Sequence, residues 1–175
     1  MSDDIYNQWT DMQLGVDSDD IVVGTSEENH QLAVRLVNQA SHRLDVFTRD
    51  FDPRVFDNAD FVNAVKSLAI KDNKARIRFL VVEPDKAIKL GHRLLELSRR
   101  LTSTVEIRKV HEDYSANPEC YLLVDTRGLL HRKLASRYEA IANFNNPSEA
   151  MNLVRHFNEV WEHSTPMLDF KRLYI

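Results

Sequence analysis

The chain has 175 residues, of which 43% are apolar and 29% charged, with a formal net charge of −4 and one cysteine. This length suits one domain with its own core, and the negative charge provides no global basic field to attract nucleic acid. One cysteine excludes a disulfide framework and a thiolate metal cluster, and it fits a reducing, cytoplasmic location. The glycines lack P-loop spacing, and the short apolar runs exclude a membrane span and argue against a membrane partner.

Residues 1–20 form the first predicted segment. They are rich in aspartate and lack apolar periodicity, which predicts a flexible or peripheral N-terminal arm before a domain over 21–175. In that domain, alternation and apolar runs predict strands, and apolar residues at helical spacing predict helices. The strands are expected at 21–24, 43–48, 76–83 and 104–110, and the helices begin near 25, 58 and 85, the last continuing to 101.

Three short strand-like runs follow in close succession in the last third of the chain. They cover 119–125, 129–134 and 139–144. The tight turn between the first two predicts an antiparallel meander. Asn146 and Pro147 predict a helix start, and an edge strand is expected within 167–175. The order predicts an α/β fold with a mixed, mostly parallel central sheet and helices on both faces.

From residue 21 to 175 this order of elements resembles one half-domain of the phospholipase D superfamily. Two local phrases add to the resemblance: Val105-Glu106-Ile107-Arg108 before the catalytic loop, and Phe157 with Trp161 in the closing helix. The chain is similar to a group of small bacterial proteins of this fold. The resemblance implies a catalytic H-x-K-x4-D motif, with a histidine nucleophile, and a second histidine from another half-domain.

Laid on this sequence by strand order, the family motif falls on residues 118–125. Its aspartate is retained as Asp125, but Pro118 stands at the position of the histidine and Cys120 at that of the lysine. Proline has no nucleophilic atom, and cysteine supplies no positive charge to a phosphoryl group. The resemblance therefore implies that the motif is degenerate and that the family's phosphodiesterase reaction is lost. Asp125 is expected to bond its own backbone in a turn.

Other residues leave open a diverged phosphodiesterase or nuclease. His131-Arg132-Lys133 spells H-x-K, although Tyr138 stands where the motif would require an aspartate. A second arrangement is a thiolate at Cys120 with His111 as its local partner, against the alternative that Cys120 is a small buried side chain.

Basic residues are frequent in the middle of the chain. On the helix predicted from 85, they lie opposite the leucine stripe. Such a helix face is either simply solvated or a surface that binds anions. Anion binding would depend steeply on salt concentration, and the negative net charge of the chain argues against it. The candidate ligand-binding residues are Arg93, Arg100, Arg108, His131 and Lys133.

The histidines show no spacing typical of a metal site. Neither an H-x-x-x-H pair nor an H-E-x-x-H helix occurs among the seven. His156 and His163 lie near one face of the last helix, but no third ligand is in view. We therefore expect neither a metal nor a cofactor.

The leading hypothesis is a catalytically inactive phospholipase D-like domain that acts as a binding or interaction module. Catalytic members of the family build one site from two half-domains, so a homodimer that brings two copies of 118–125 together is a candidate assembly. An anionic ligand, nucleic acid and a separate protein partner are the other candidates.

Overall fold

A computed structural model describes residues 9–167 of the chain. Its strands are β1 (Ile21–Val23), β2 (Arg43–Thr48), β3 (Arg76–Val81), β4 (Val105–Lys109), β5 (Cys120–Val124), β6 (Gly128–Arg132), β7 (Ala140–Asn143) and β8 (Thr165–Pro166). Its helices are α1 (Ser26–Gln39), α2 (Pro53–Phe56), α3 (Ala59–Lys71), α4 (Asp85–Leu90), α5 (Arg93–Arg100) and α6 (Pro147–Glu162), and a 3-10 turn covers Glu112–Tyr114. The predicted strand and helix positions agree with these bounds to within about two residues, except that α4 and α5 are predicted as one helix and that no element is predicted at α2 or β8.

Side-chain caps fix the helix starts where the sequence predicts them. The hydroxyl of Thr25 accepts the N–H of Glu28 at 3.1 Å, and the Glu28 carboxylate reaches back to accept the Thr25 hydroxyl at 2.9 Å and the N–H of Gly24 at 3.3 Å, an arrangement close to a capping box for α1. Asn58 caps α3 and Asn146 caps α6, each by accepting the N–H three residues further on.

The described strands form one eight-stranded sheet with the order β1-β7-β6-β5-β2-β3-β4-β8. The predicted α/β class with a mixed sheet is confirmed. More of the neighbouring pairs are antiparallel than the alternation of strands and helices suggests, because within residues 9–167 only β2–β3 and β3–β4 pair in parallel. A helical crossover imposes parallel pairing only when it joins neighbouring strands, and β1 pairs antiparallel with β7 instead of lying beside β2.

Helices cover both faces of the sheet, as predicted. One face carries Leu44 and Val46 of β2 and packs against α1, α3 and α5. The other face carries Phe47 of β2 and packs against α6 through residues such as Phe157. In residues 9–167 no helix has both the length and the apolar character needed to cross a bilayer.

The single helix predicted over 85–101 is in fact two helices, α4 and α5. Gly91 ends α4 with φ = +73°, in the left-handed region that glycine adopts without strain. His92 then caps α5, because its Nδ1 accepts the N–H of Leu94 at 3.1 Å. Leu90, which the periodicity places in the core, is 73% exposed. The basic residues predicted on one helix therefore lie on two.

The described part of the predicted arm, residues 9–20, lies along the surface of the domain. Trp9 is buried in the core on the α1 side. The N–H of Leu14 donates to the side-chain oxygen of Gln39 at 2.8 Å, which ties the arm to the end of α1. A domain boundary at residue 20 stays a prediction.

The edge strand expected within 167–175 lies almost wholly outside the described residues. Just before it, β8 pairs antiparallel with β4, with Thr165 opposite Lys109.

Candidate functional site

The candidate site lies at the sheet edge where three parallel strands end and β5 begins. The parallel strands β2, β3 and β4 end at Thr48, Val81 and Lys109. Since β5 runs antiparallel to β2, its first residue, Cys120, starts at the same edge. Ligands of open α/β sheets bind outside the carboxyl ends of the strands, so the degenerate motif begins where a site would be expected.

Cys120 is a buried thiol on the α1 side of the sheet. The residue is 4% exposed and packs within the core. Burial raises the pKa of its thiol to about 11, although the nearby Arg132 guanidinium acts in the opposite direction. At neutral pH the group is therefore a protonated thiol and not a nucleophilic thiolate.

The segment that follows β6 is hydrogen-bonded to Pro118, which is itself exposed. The N–H of Ala135 donates to the Pro118 carbonyl at 2.6 Å. Arg132, opposite Cys120 in the β5–β6 register, donates through Nε to the Arg137 carbonyl at 2.9 Å and also to the Ala135 carbonyl. Segment 133–139 is thus tied to Arg132 and to the backbone of Pro118, the position that the resemblance assigns to a catalytic histidine.

Asp52 and Tyr138 lie around the same guanidinium, and we call these two residues together with Arg132 the Arg132 cluster. The Tyr138 hydroxyl donates to the Asp52 carboxylate at 2.7 Å, and an Asp52 oxygen lies 3.9 Å from the Arg132 guanidinium. The guanidinium also stacks 4.9 Å from the centre of the Tyr138 ring. Desolvation and, after it, the Asp52 carboxylate raise the pKa of the Tyr138 hydroxyl. The Arg132 cluster therefore keeps the Tyr138 hydroxyl protonated as a hydrogen-bond donor. The Arg132 guanidinium, which is the only cation of the cluster, already has hydrogen-bond partners.

Asp52 is not among the residues predicted from the sequence, and Tyr138 appears there only as the residue in place of a motif aspartate. They are 86 residues apart, and no periodicity brings them together. The available signal was the Asp52-Pro53 step, which predicts a helix cap; Asp52 does accept the N–H of Arg54 at 3.1 Å.

Asp125 lies at the opposite end of β5 and ties two loops together. Its carboxylate accepts the backbone N–H groups of Ser41, His42 and Arg43 at 2.7, 2.9 and 2.8 Å. The residue has φ = +52°, in the left-handed region that aspartate tolerates better than most residues. The expectation that it bonds its own backbone is wrong, because the α1–β2 loop presents three unpaired N–H groups to it.

His131 and Lys133 do not form a site with Cys120. His131 stands opposite Tyr121 in the register, on the α6 side of the sheet, whereas Cys120 faces α1. The His131 Nε2 lies 3.6 Å from a Glu119 oxygen and makes no hydrogen bond within the described residues. Lys133 follows the end of β6 and is exposed.

His111 lines a surface cleft of about 470 Å³ at the same sheet edge. Val82 and Val110 line its apolar part, and the charged side chains around it carry both signs. The His111 Nδ1 caps the 3-10 turn by accepting the N–H of Asp113 at 3.1 Å. Its role is thus the placement of a loop, and Cys120 is buried on the other side of the sheet.

The basic candidates do not converge on one site. Arg93 and Arg100 project from α5 with 58% and 75% of their side chains exposed. Arg108 lies on the α6 side, where its guanidinium stacks 4.2 Å from the centre of the Trp161 ring and donates to the Trp161 carbonyl at 3.1 Å. Within residues 9–167 no group of three or more histidine, cysteine or acidic side chains is arranged to hold a metal.

A family model described as "Domain of unknown function (DUF7931)" matches residues 25–173. No curated protein sequence matches the chain.

Solved structures match across most of the chain at low identity. NucT from Helicobacter pylori is 10% identical with a TM-score of 0.65, over 85% of this chain and 99% of that chain. Nuc from Salmonella typhimurium, a phospholipase D family member, is 13% identical with a TM-score of 0.58, over 85% and 98%. TrmBL2, an archaeal chromatin protein whose structure shows a novel mode of DNA binding, is 11% identical with a TM-score of 0.63; the match covers 94% of this chain but 60% of TrmBL2. This chain therefore belongs to the DUF7931 family, and its fold is phospholipase D-like.

Proposed function

We propose that this protein is a catalytically inactive phospholipase D-like domain that acts as a binding or interaction module. The observation that carries the proposal is that the Arg132 guanidinium, opposite Cys120, is bound to the carbonyls of Arg137 and Ala135. Pro118, at the position that the resemblance assigns to the nucleophile, has no nucleophilic atom.

The chemistry of Cys120 and Arg132 supports this proposal. Phosphoryl transfer by the family needs a nucleophile and a cation that neutralises the phosphoryl oxygens. Cys120 is a neutral thiol, and the Arg132 guanidinium is bound to two carbonyls and lies near Asp52. A phosphodiester at this position would have to displace the chain's own hydrogen bonds.

The test is an assay of phosphodiesterase activity in the purified protein. The substrates are bis(p-nitrophenyl) phosphate and end-labelled single- and double-stranded DNA, read on denaturing gels. We expect no turnover above that of a mock purification. Turnover that co-purifies with the protein and is lost in His131→Ala or Cys120→Ala, but kept in the control His42→Ala, would overturn the proposal. His42 is a suitable control because its side chain is 77% exposed at the opposite edge of the sheet.

A diverged phosphodiesterase is the second candidate, and His131 is the residue that favours it. Its Nε2 is buried without a hydrogen-bond partner in the described structure and lies 3.6 Å from the Glu119 carboxylate, a geometry in which a carboxylate can orient an imidazole. The same His131→Ala assay decides between the two candidates.

Self-association is part of the proposal as an interaction module. The resemblance implies that catalytic relatives build one site from two half-domains, and this chain carries one. Sedimentation equilibrium would show a mass twice that of the 20.4 kDa chain if two copies pair. A single 20.4 kDa species at micromolar concentration would leave a different molecule as the partner.

A further inference from the structure

The charges of this chain are strongly segregated along its length. Residues 59–109 contain twelve basic and six acidic side chains, whereas the rest of the chain contains 11 basic and 21 acidic ones. The net charge of −4 therefore conceals a basic middle segment that includes α3, α4 and α5.

Two helices present much of this charge on one surface. α3 and α5 contact each other and bury their apolar residues against the same face of the sheet. Their exposed basic residues, which we call the α3–α5 basic surface, are Lys66, Lys71, Arg93, Arg99 and Arg100. On α5, leucines at 94, 95 and 97 are buried beneath these arginines, so the arginines point away from the core.

The acidic partners on α5 do not neutralise its arginines. Glu96 is the carboxylate nearest to both Arg99 and Arg100, at 3.3 and 3.9 Å. Arg93 lies 4.0 Å from Asp57, and 58% of its side chain is exposed. Exposed pairs of this kind contribute little and are readily exchanged for another anion. An excess of positive charge therefore remains available on this surface.

The spacing and type of these cations suit phosphate groups. Arg93 and Arg100 are seven residues apart, so they share one side of the helix about 10 Å from each other. Guanidinium groups bind phosphate oxygens through two parallel hydrogen bonds. The exposed residues of α3 and α5 include no aromatic side chain on which an unpaired base could stack, which favours a duplex backbone over a single strand.

We propose that the α3–α5 basic surface binds the phosphate backbone of duplex nucleic acid without reading its sequence. This inference rests on the proposed function, since it names a ligand of the binding module. Contacts from five basic residues would make the logarithm of the association constant fall by about 4 to 5 for each tenfold rise in salt concentration. Binding of this non-specific kind has dissociation constants of about 10⁻⁶ to 10⁻⁴ M at physiological salt.

The test is fluorescence anisotropy of a labelled duplex of about 20 base pairs, titrated with the full chain between about 20 and 200 mM KCl. The variant Arg93→Glu with Arg100→Glu removes two contacts. It should weaken binding at least about tenfold and lower the salt slope by about 1.8. The matched control, Arg137→Glu with Arg155→Glu, changes the net charge equally at exposed positions outside α3 and α5. It should change the affinity less than about twofold, because distant surface charges are screened.

Three outcomes would overturn the inference. They are a duplex that does not bind at low salt, an equal loss of affinity in both variants, and binding to phosphatidylserine vesicles in place of the duplex. Urea unfolding of each variant checks that it is folded. The same samples run on a denaturing gel separate this inference from the proposed function, because cleavage of the duplex would refute inactivity without bearing on where the duplex binds.

Discussion

Arg78 and Asp45 form an ion pair in the core, with Nε 2.7 Å from Oδ1 and side chains that are 6% and 1% exposed. Asp45 also accepts from Arg43 Nε at 2.7 Å. On the side of α6, Asn158 accepts from Arg78 at 2.9 Å, and the Arg78 guanidinium stacks 4.7 Å from the centre of the Phe157 ring. A buried polar network thus lies between α6 and the sheet, next to the apolar side chains of this layer.

Removing the carboxylate from this network should destabilise the domain strongly. Asp45→Ala leaves the Arg78 charge buried without its partner, and the expected loss of unfolding free energy is about 3 to 5 kcal/mol. The control Glu83→Ala breaks the Arg49–Glu83 pair, whose carboxylate side chain is 66% exposed, and should cost less than about 1 kcal/mol. Urea denaturation followed by circular dichroism measures both. If the two variants lost similar amounts of unfolding free energy, burial would not explain the contribution of the Arg78–Asp45 pair.

The structural role of Asp125, the residue of the family motif that this chain retains, can be tested by substitution. Asp125→Ala removes the acceptor of three N–H groups and places alanine at φ = +52°, so we expect a loss of about 3 kcal/mol. Asp125→Asn keeps one carbonyl oxygen and tolerates this backbone conformation, and it should cost roughly half as much. The comparison uses urea midpoints at pH 7. Equal costs would indicate that neither the acceptor oxygen nor the backbone conformation matters.

Local signals in the sequence predicted the elements of the fold well, and long-range pairing poorly. The cap residues Thr25, Asn58 and Asn146 act within a few residues of the helices they start, so the sequence shows them directly. The choice of β7 rather than β2 as the neighbour of β1 depends on packing across the whole sheet, which alternation does not encode. Gly91 was a visible stop signal within the helix predicted over 85–101, but the continuing leucine stripe obscured it.

The candidate site was predictable only in part for the same reason. Strand order aligns Cys120 with the start of a strand, and Cys120 is the first residue of β5. The Arg132 cluster joins Asp52 to Tyr138 across 86 residues of sequence, and only the folded chain brings these two residues together.

Cys120 makes stability depend on pH in the alkaline range. Its pKa of about 11 in the folded protein lies above the ordinary value of 9.0, so the folded state holds its proton more tightly than the unfolded state. The corresponding stability is complete below pH 9 and is lost as the pH rises toward 11, by roughly 1 kcal/mol between pH 8 and 10. Urea unfolding at these two pH values should show a smaller fall for Cys120→Ala than for the parent protein. Parallel falls in both proteins would assign the effect to the tyrosines instead.

His92 should make stability depend on pH in the acid range, because its two ring nitrogens already have partners. Nδ1 accepts the N–H of Leu94 at 3.1 Å, which leaves Nε2 as the protonated nitrogen that donates to the Phe51 carbonyl at 3.0 Å. Burial lowers the pKa of this imidazole below 6.5, more than the neighbouring Asp57 raises it, and Arg93 adds to the lowering. Protonation would convert Nδ1 from an acceptor into a donor and break the cap of α5.

The sign of the effect follows from the lowered pKa. The unfolded chain binds a proton at His92 near pH 6.5, while the folded protein resists it, so this contribution to stability is present above pH 6.5 and is lost as the pH falls below it. His92→Asn keeps a cap acceptor at the same position without an ionisable group. Urea midpoints measured from pH 8 to 5 should therefore fall more steeply for the parent protein than for His92→Asn. If both proteins lose stability in parallel, other groups carry the acid sensitivity and the cap of α5 does not sense pH.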